Sequence, residues 1–226
     1  MASEKPTPTV EDYLCIIYTL KREGNEVYGA KLAEILNVSP PTVTATIQRM
    51  VRDGWINYST SKKISLTKIG TQAARSVIRR HMLTEWMLSK ILNIPWSDIH
   101  EEADKLEHSI SPDIEKSLSA VLNDPDFCPH GNPFPGSEEI SENWIPLLKF
   151  SQKKSVIIRR IHEFLEDNLD AMRFLEENNV LPGHVFTIKQ IIPFNKTLTI
   201  SGEKNNVTLG FEIANLIYAE DILKRQ

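Results

Sequence analysis

The turn at Asn37-Val38-Ser39, set between two short amphipathic segments and followed by a hairpin pattern, restricts the first third of the chain more than any other feature. Ahead of the turn, residues 30–36 bring Leu32, Ala33 and Leu36 to one helical face. After it, Ser39 is a good N-cap residue, and Pro40 and Pro41 suit a first helical turn, where a missing N–H leaves no bond unmade. The helix they open carries Val43, Ile47 and Met50 on one side, shows Thr42, Thr44, Ala45 and Gln48 on others, and closes at Asp53-Gly54. Two alternating runs, 55–58 and 64–66, flank polar residues 59–63, the pattern of a β-hairpin with a basic tip. An earlier helix starts at Thr9-Val10-Glu11-Asp12, with Asp12 in the N3 place of a capping box. Its apolar stripe is Tyr13, Ile16, Ile17 and Leu20, and it ends at Gly24-Asn25. Helix, helix-turn-helix and hairpin in that order specify a winged helix-turn-helix, whose second paired helix enters the DNA major groove.

Downstream, Thr67 caps a long helix to about residue 92. After Pro95-Trp96, Ser97 is expected to cap a helix to about 109, and Ser111-Pro112 opens a third with a capping box. Residues 123–136 hold four prolines and two glycines, an ordered loop and domain boundary. Beyond lie a strand at 156–161, a helix at 169–177, and strands at 185–192, 197–201, 207–211 and 216–218, as in a small barrel. The expected fold is mainly α with small β parts. It comprises a winged helix-turn-helix domain at 1–75, a helical domain at 76–140 and a β domain at 141–226. No apolar run approaches the roughly 18 residues of a membrane span. Met1–Thr9 lacks the apolar stretch of a secretory leader, so a cytoplasmic protein is expected. Cys15 and Cys128 form no CxxC pair. No disulfide is expected, and Cys15 reads as a buried apolar residue.

The overall charge is −4, but it is segregated. Residues 49–90 hold nine Lys/Arg against two acids, a net of +7, whereas 97–127 hold nine acids against two lysines, a net of −7. One surface then suits polyanions and another cations. Within the acidic stretch, His100, Asp104, Glu107 and His108 sit at i, i+4, i+7 and i+8, inside an arc of roughly 100° on one helix. Ile99, Ala103, Leu106 and Ile110 fall on the other side. His81 and Glu85 repeat the i,i+4 pairing on the preceding helix. Imidazoles with carboxylates are a ligand set for Mn, Fe, Zn or Co, whereas a merely solvated helix face usually carries lysines and glutamates.

The runs His81–Glu85, Ile99–His108 and Cys128-Pro-His-Gly-Asn-Pro-Phe-Pro-Gly136 resemble the diphtheria-toxin-repressor/manganese-transport-regulator family. The similarity extends from about Pro8 to Gly136, with a softer match to the family's Src-homology-like (iron-transport-protein-A-like) domain beyond about Ser155. The resemblance implies a helical dimerisation and metal-binding domain and a homodimer that represses metal-uptake genes from palindromic operators. It puts a primary metal site on Asp12, Asp104, Glu107 and His108. The iron-sensing branch has methionine and cysteine where this chain has Asp12 and Asp104, so Mn2+ is the expected corepressor, with Fe2+ the alternative. Zn2+ or Co2+ would bind in vitro, since hard oxygen donors favour Mn2+ but raw affinity does not. An ancillary site falls on His81, Glu85 and His100. Two supplements stay open: Glu163 with Glu166 from the C-terminal domain, or Cys128 with His130 from the proline-rich loop. Cys15 stands where short manganese regulators have glutamate, which argues against their closely spaced metal pair.

For DNA, the resemblance puts Ser39, Pro41 and Thr42 at groove-facing positions, with Thr44 and Gln48 as further candidates. Ala45 replaces a glutamine of the iron branch. Lys62 and Lys63 on the wing, with Arg49 and Arg52, would neutralise phosphates. Two other classes compete. A metalloenzyme needs an open coordination position beside a base or nucleophile, and the chain has no HExxH, GxSxG or phosphate-binding glycine loop. A metal-independent winged-helix regulator sensing a small molecule leaves the His/Asp/Glu face unexplained.

Overall fold

The computed structural model describes residues 5–203 and 205–222, so the reading of Met1–Thr9 falls partly outside the described residues. The chain falls into two compact units, 1–80 and 81–226.

The first unit runs α1 (Pro8–Arg22), β1 (Val27–Tyr28), α2 (Gly29–Ile35), α3 (Pro40–Arg52), β2 (Ile56–Tyr58), β3 (Lys63–Leu66) and the start of α4 (Lys68–Lys90). Leu14 and Ile17 of α1, Leu32 of α2, Val43 and Met50 of α3 and Ile64 of β3 are all buried. Ser39 Oγ accepts from the Thr42 amide, and Thr67 Oγ1 accepts from that of Gly70 at 3.1 Å, so both expected caps are made. The hairpin β2–β3 is antiparallel with Lys62 at its tip in the left-handed region, φ +63. β1 pairs with the other side of β3, giving the order β1-β3-β2. Two residues are too few to show alternation, so the sequence carries no signal for β1.

Two expectations fail in α1. Its N-cap is Thr7 and Pro8 takes the first turn, where proline costs no hydrogen bond. Asp12 therefore stands past the N3 position, and no capping box accounts for it. Cys15 is half-buried, not buried.

The second unit continues from α4 through α5 (Ile99–Glu107) and α6 (Pro112–Val121). After 3-10 turns and β4 (Ile145–Pro146) come β5 (Ser155–Ile161), α7 (Glu163–Glu166), α8 (Leu169–Glu177), β6 (Val185–Ile192), β7 (Thr197–Ser201), β8 (Asn206–Gly210), α9 (Phe211–Asn215) and β9 (Ile217–Asp221). The strands form one antiparallel sheet in the order β4-β9-β5-β6-β7-β8, the small Src-homology-like domain expected. Burial alternates along β7 and β8, and Ile158, Met172, Leu175, Ile188, Leu198 and Ile200 make its core. β8 stops at Gly210 because Phe211 opens α9.

Ser97 does not cap α5, whose N-cap residue is Asp98. The turn before the helix is held instead by Glu176 of α8, which accepts from the Trp96 and Ser97 amides at 3.0 and 3.2 Å. On α5 itself Leu106 is exposed and Glu107 buried, the reverse of the amphipathic reading. Ser111 does cap α6 through the Ile114 amide, but Ile114 occupies N3, so the acidic half of a capping box is absent.

The middle of the proline-rich loop is buried, with Cys128, His130 and Asn132 all inaccessible or nearly so. A register shift between Ile158 and Arg160 bends β5, and the loop backbone docks there, with the Ile161 amide donating to the His130 carbonyl at 2.9 Å. Gly131 makes that approach possible. Its φ is +88, and a Cβ there would stand 2.0 Å from the Arg159 carbonyl oxygen. We expect Gly131→Ala to cost at least about 2 kcal/mol, a melting-temperature loss of roughly 4–8 °C. Gly136→Ala, with φ +103 but nothing within 4 Å, should cost only about 1 kcal/mol. Thermal unfolding followed by circular dichroism compares the two, and equal losses would contradict the docking role of Gly131.

Candidate metal centre and nucleic-acid interface

In the second unit, α4 supplies His81 and Glu85 one turn apart, and α5 supplies His100 and Asp104 at the same spacing. His81 Nε2 lies 3.0 Å from His100 Nδ1 and 3.3 Å from Glu85 Oε1. The other nitrogen of His81 faces Glu107 Oε2 at 2.7 Å and Asp104 Oδ1 at 3.2 Å. His81 therefore touches two of the acids assigned to the primary site as well as its own ancillary partners. His108, the C-cap residue of α5, lies 3.6 Å from Glu107 through Nε2.

Glu166 from one expected supplement, and Cys128 with His130 from the other, converge on this cluster. Glu166 Oε2, from the end of α7, is 2.9 Å from His100 Nδ1 and 3.4 Å from His130 Nδ1. His130 Nδ1 is 3.0 Å from Glu85 Oε1, and its Nε2 faces the Trp96 carbonyl at 3.1 Å, which fixes Nε2 as the donor. Cys128 offers its sulfur to the same group as Glu85 and His130. Glu163 belongs to none of the His/Cys/Asp/Glu groups within ligand range among the described residues. Asp167, which sequence reasoning misses, lies 3.3 Å from His100 Nε2. It follows Glu166 directly, so the acidic pair Glu166-Asp167 is the one signal that could have found it.

Glu85 is the centre of this arrangement and is inaccessible to solvent. Burial opposes its ionisation, but His130, His100 and His81 together hold its carboxyl well below the usual range. Burial likewise disfavours charge on His81 and His100. Asp104, Glu107 and Glu85 around the first, and Asp167, Glu166 and Glu85 around the second, carry both well above the ordinary imidazole range. Burial, with Glu85 and Glu166 nearby, pushes the Cys128 thiol up. Protons on imidazoles thus balance the carboxylates, a role that a divalent cation can take over. One atom is left over: Glu85 Oε2 is buried with no hydrogen-bond partner. An orphaned buried oxygen among imidazole and carboxylate donors fits a divalent cation.

In the first unit, Ser39, Pro41, Thr42, Thr44 and Gln48 all lie on the exposed side of α3. Their hydroxyls are partly engaged, Ser39 Oγ with Thr42 Oγ1 at 2.8 Å and Thr44 Oγ1 with the Pro40 carbonyl at 2.9 Å. Lys62 is exposed, whereas Lys63 pairs with Glu26 at 2.6 Å and Arg52 with Asp53 at 2.8 Å. Arg49 is half-buried. Arg80 bonds Glu11 at 2.9 Å and Arg75 donates to the Tyr18 hydroxyl at 3.1 Å, so part of the basic segment serves the fold. No described helix is long and apolar enough to cross a membrane.

Residues 5–64 match the N-terminal DNA-binding domain of iron-dependent repressors, 67–136 their metal-binding and dimerisation domain, and 145–221 the FeoA domain. The chain is 34% identical to the iron-dependent repressor IdeR of Mycobacterium leprae, over 95% of this chain and 97% of that one. It is 31% identical to the diphtheria toxin repressor of Corynebacterium diphtheriae over the same shares. Among solved structures it is similar to a manganese-dependent transcriptional repressor in complex with manganese, with TM-score 0.83 and 25% identity over 94% of this chain and all of that one. The manganese regulator SloR gives TM-score 0.77 and 28% identity, covering 96% and 100%. A winged helix-turn-helix, a helical cation-ready cluster and a FeoA domain, aligned end to end with these proteins, place the chain in the iron-dependent repressor family of metal-dependent, DNA-binding transcriptional repressors.

Proposed function

We propose that the chain is a cytoplasmic, non-catalytic, manganese-responsive repressor that acts as a homodimer on palindromic operators of metal-uptake genes. The observation that carries the metal preference is the carboxylate at both Asp12 and Asp104, hard donors where the iron-sensing branch has softer ones. Fe2+ is the second candidate, since relatives carry both iron-dependent and manganese-dependent names.

A primary ion would draw on Asp12, Asp104, Glu107 and His108. Its first ligand comes from α1 of the DNA-binding unit and the other three from α5 and its C-cap, so binding restrains how the recognition helices are presented. That restraint matters because two half-sites must be met one helical turn or more apart. An ancillary ion would draw on His81, Glu85, His100 and Glu166, with Cys128 and His130 beside it. Metal that binds one conformer preferentially shifts the population toward it, and DNA affinity follows by linkage. On the DNA side, the exposed face of α3 reads bases, and Lys62 with the more weakly available Lys63 and Arg52 contacts phosphates.

Three results are expected. Chelator-stripped protein should bind an operator duplex about 10–100-fold more weakly than protein with saturating Mn2+, as read by fluorescence anisotropy. Tight binding in excess chelator would overturn the metal switch. Asp12→Ala and His108→Ala should each remove that metal response while leaving the circular dichroism unchanged, and a normal response in either would displace the primary site. Glu85→Gln should remove one bound Mn2+ per chain in equilibrium dialysis, and undiminished stoichiometry would remove the ancillary site.

A further inference from the structure

Glu166 is aimed by a second residue, Asn132, whose side chain hydrogen-bonds it directly. Asn132 sits fully buried in the proline-rich loop. Its Nδ2 donates to Glu166 Oε1 at 2.7 Å and to the Ile161 carbonyl at 2.7 Å. Its Oδ1 accepts from an Arg160 guanidinium nitrogen at 3.1 Å. Arg160 in turn stacks on the Tyr218 ring, 4.0 Å from its centroid. The Asn132 carbonyl also accepts from the Cys128 amide at 2.9 Å, which closes the loop around the side chain.

An amide with both ends engaged cannot rotate without breaking bonds to a buried cation and a buried carbonyl. One Glu166 oxygen is thereby occupied from behind, and only Oε2 is turned toward His100 and His130. We infer that Asn132, held by Arg160, is a positioning residue that fixes Glu166 as a single-oxygen ligand and so sets the affinity and geometry of the ancillary site. This rests on the reading of the Glu85 cluster as a cation site. Residues that orient a ligand from behind commonly change metal affinity by about 10–100-fold when removed. The arrangement also ties Glu166 to β5, since Ile161 and Arg160 both belong to that strand. The cluster and the sheet are thus coupled through one side chain.

The test is the full-length chain titrated with Co2+ and Mn2+. Asn132→Asp keeps the shape and the acceptor for Arg160 but replaces the Nδ2 donor facing Glu166 by an oxygen. We expect the ancillary Mn2+ affinity to fall about 10–100-fold and the Co2+ visible absorption band to shift, with the circular dichroism unchanged. In the wild type, the Asn132 side-chain amide resonances in 15N spectra should move in step with one equivalent of Zn2+, a readout needing no variant. Wild-type affinity and an unshifted Co2+ band in Asn132→Asp, or amide resonances that ignore Zn2+, would overturn the positioning role. Glu85→Gln separates the two levels. If it leaves the wild-type Co2+ band intact, the site reading itself fails; if it abolishes the band while Asn132→Asp does not alter it, only the role of Asn132 fails.

Discussion

A single carboxylate, Glu85, organises the second unit. A bare charge at that depth would cost several kcal/mol, so it persists only because His81, His100 and His130 surround it. Those three imidazoles come from α4, α5 and the proline-rich loop, and Glu166 joins from the β domain. Satisfying one buried group therefore requires α4, α5 and the loop to converge, and Glu166 shares two of the same imidazoles. Such a network is costly when half-made, and the partnerless Oε2 of Glu85 is the atom at which a cation, in the proposed reading, would complete it.

The convergence depends on features that have nothing to do with charge. The bend in β5 and the absent side chain at Gly131 let the loop backbone reach the strand, which carries His130 to Glu85 and Asn132 to Glu166. Trp96 braces the loop from the other side, donating from its indole to the Pro129 carbonyl at 3.0 Å and stacking edge-on against His130. Packing at one glycine and one indole thus sets the geometry of a polar site. For this reason Glu166 and the pair Cys128 and His130, alternatives in the family resemblance, end up in one place.

Much of this is legible in the residues themselves. Ser39 before two prolines, the alternating runs of the wing and the i,i+4 pairs His81/Glu85 and His100/Asp104 each report a local constraint, and each appears where expected. The misreadings have a common origin in non-local effects. Ser97 is a good cap by type, but Glu176 from a distant helix already holds that turn. Leu106 and Glu107 exchange their expected environments because a half-buried imidazole, His81, recruits the carboxylate. A capping box would account for Asp12, but Pro8 moves the helix start and leaves its carboxylate without that local explanation. Asn132 and Arg160 are invisible in sequence, since nothing in their spacing tells which atoms they meet, and Asp167 is marked only by its place beside Glu166.

The proposed metal response and the role of Asn132 require the Glu85 cluster to be a cation site and not a self-sufficient ion-pair network. Anomalous X-ray scattering from crystals grown with Mn2+, with data on either side of the manganese edge, tests it most directly. A cation site predicts a peak in direct coordination with Glu85, His100 and Glu166, with both Glu85 oxygens or a bound water satisfying the position now left orphaned. Full occupancy elsewhere with no peak at Glu85, and with its contacts to His81, His100 and His130 intact, would contradict it.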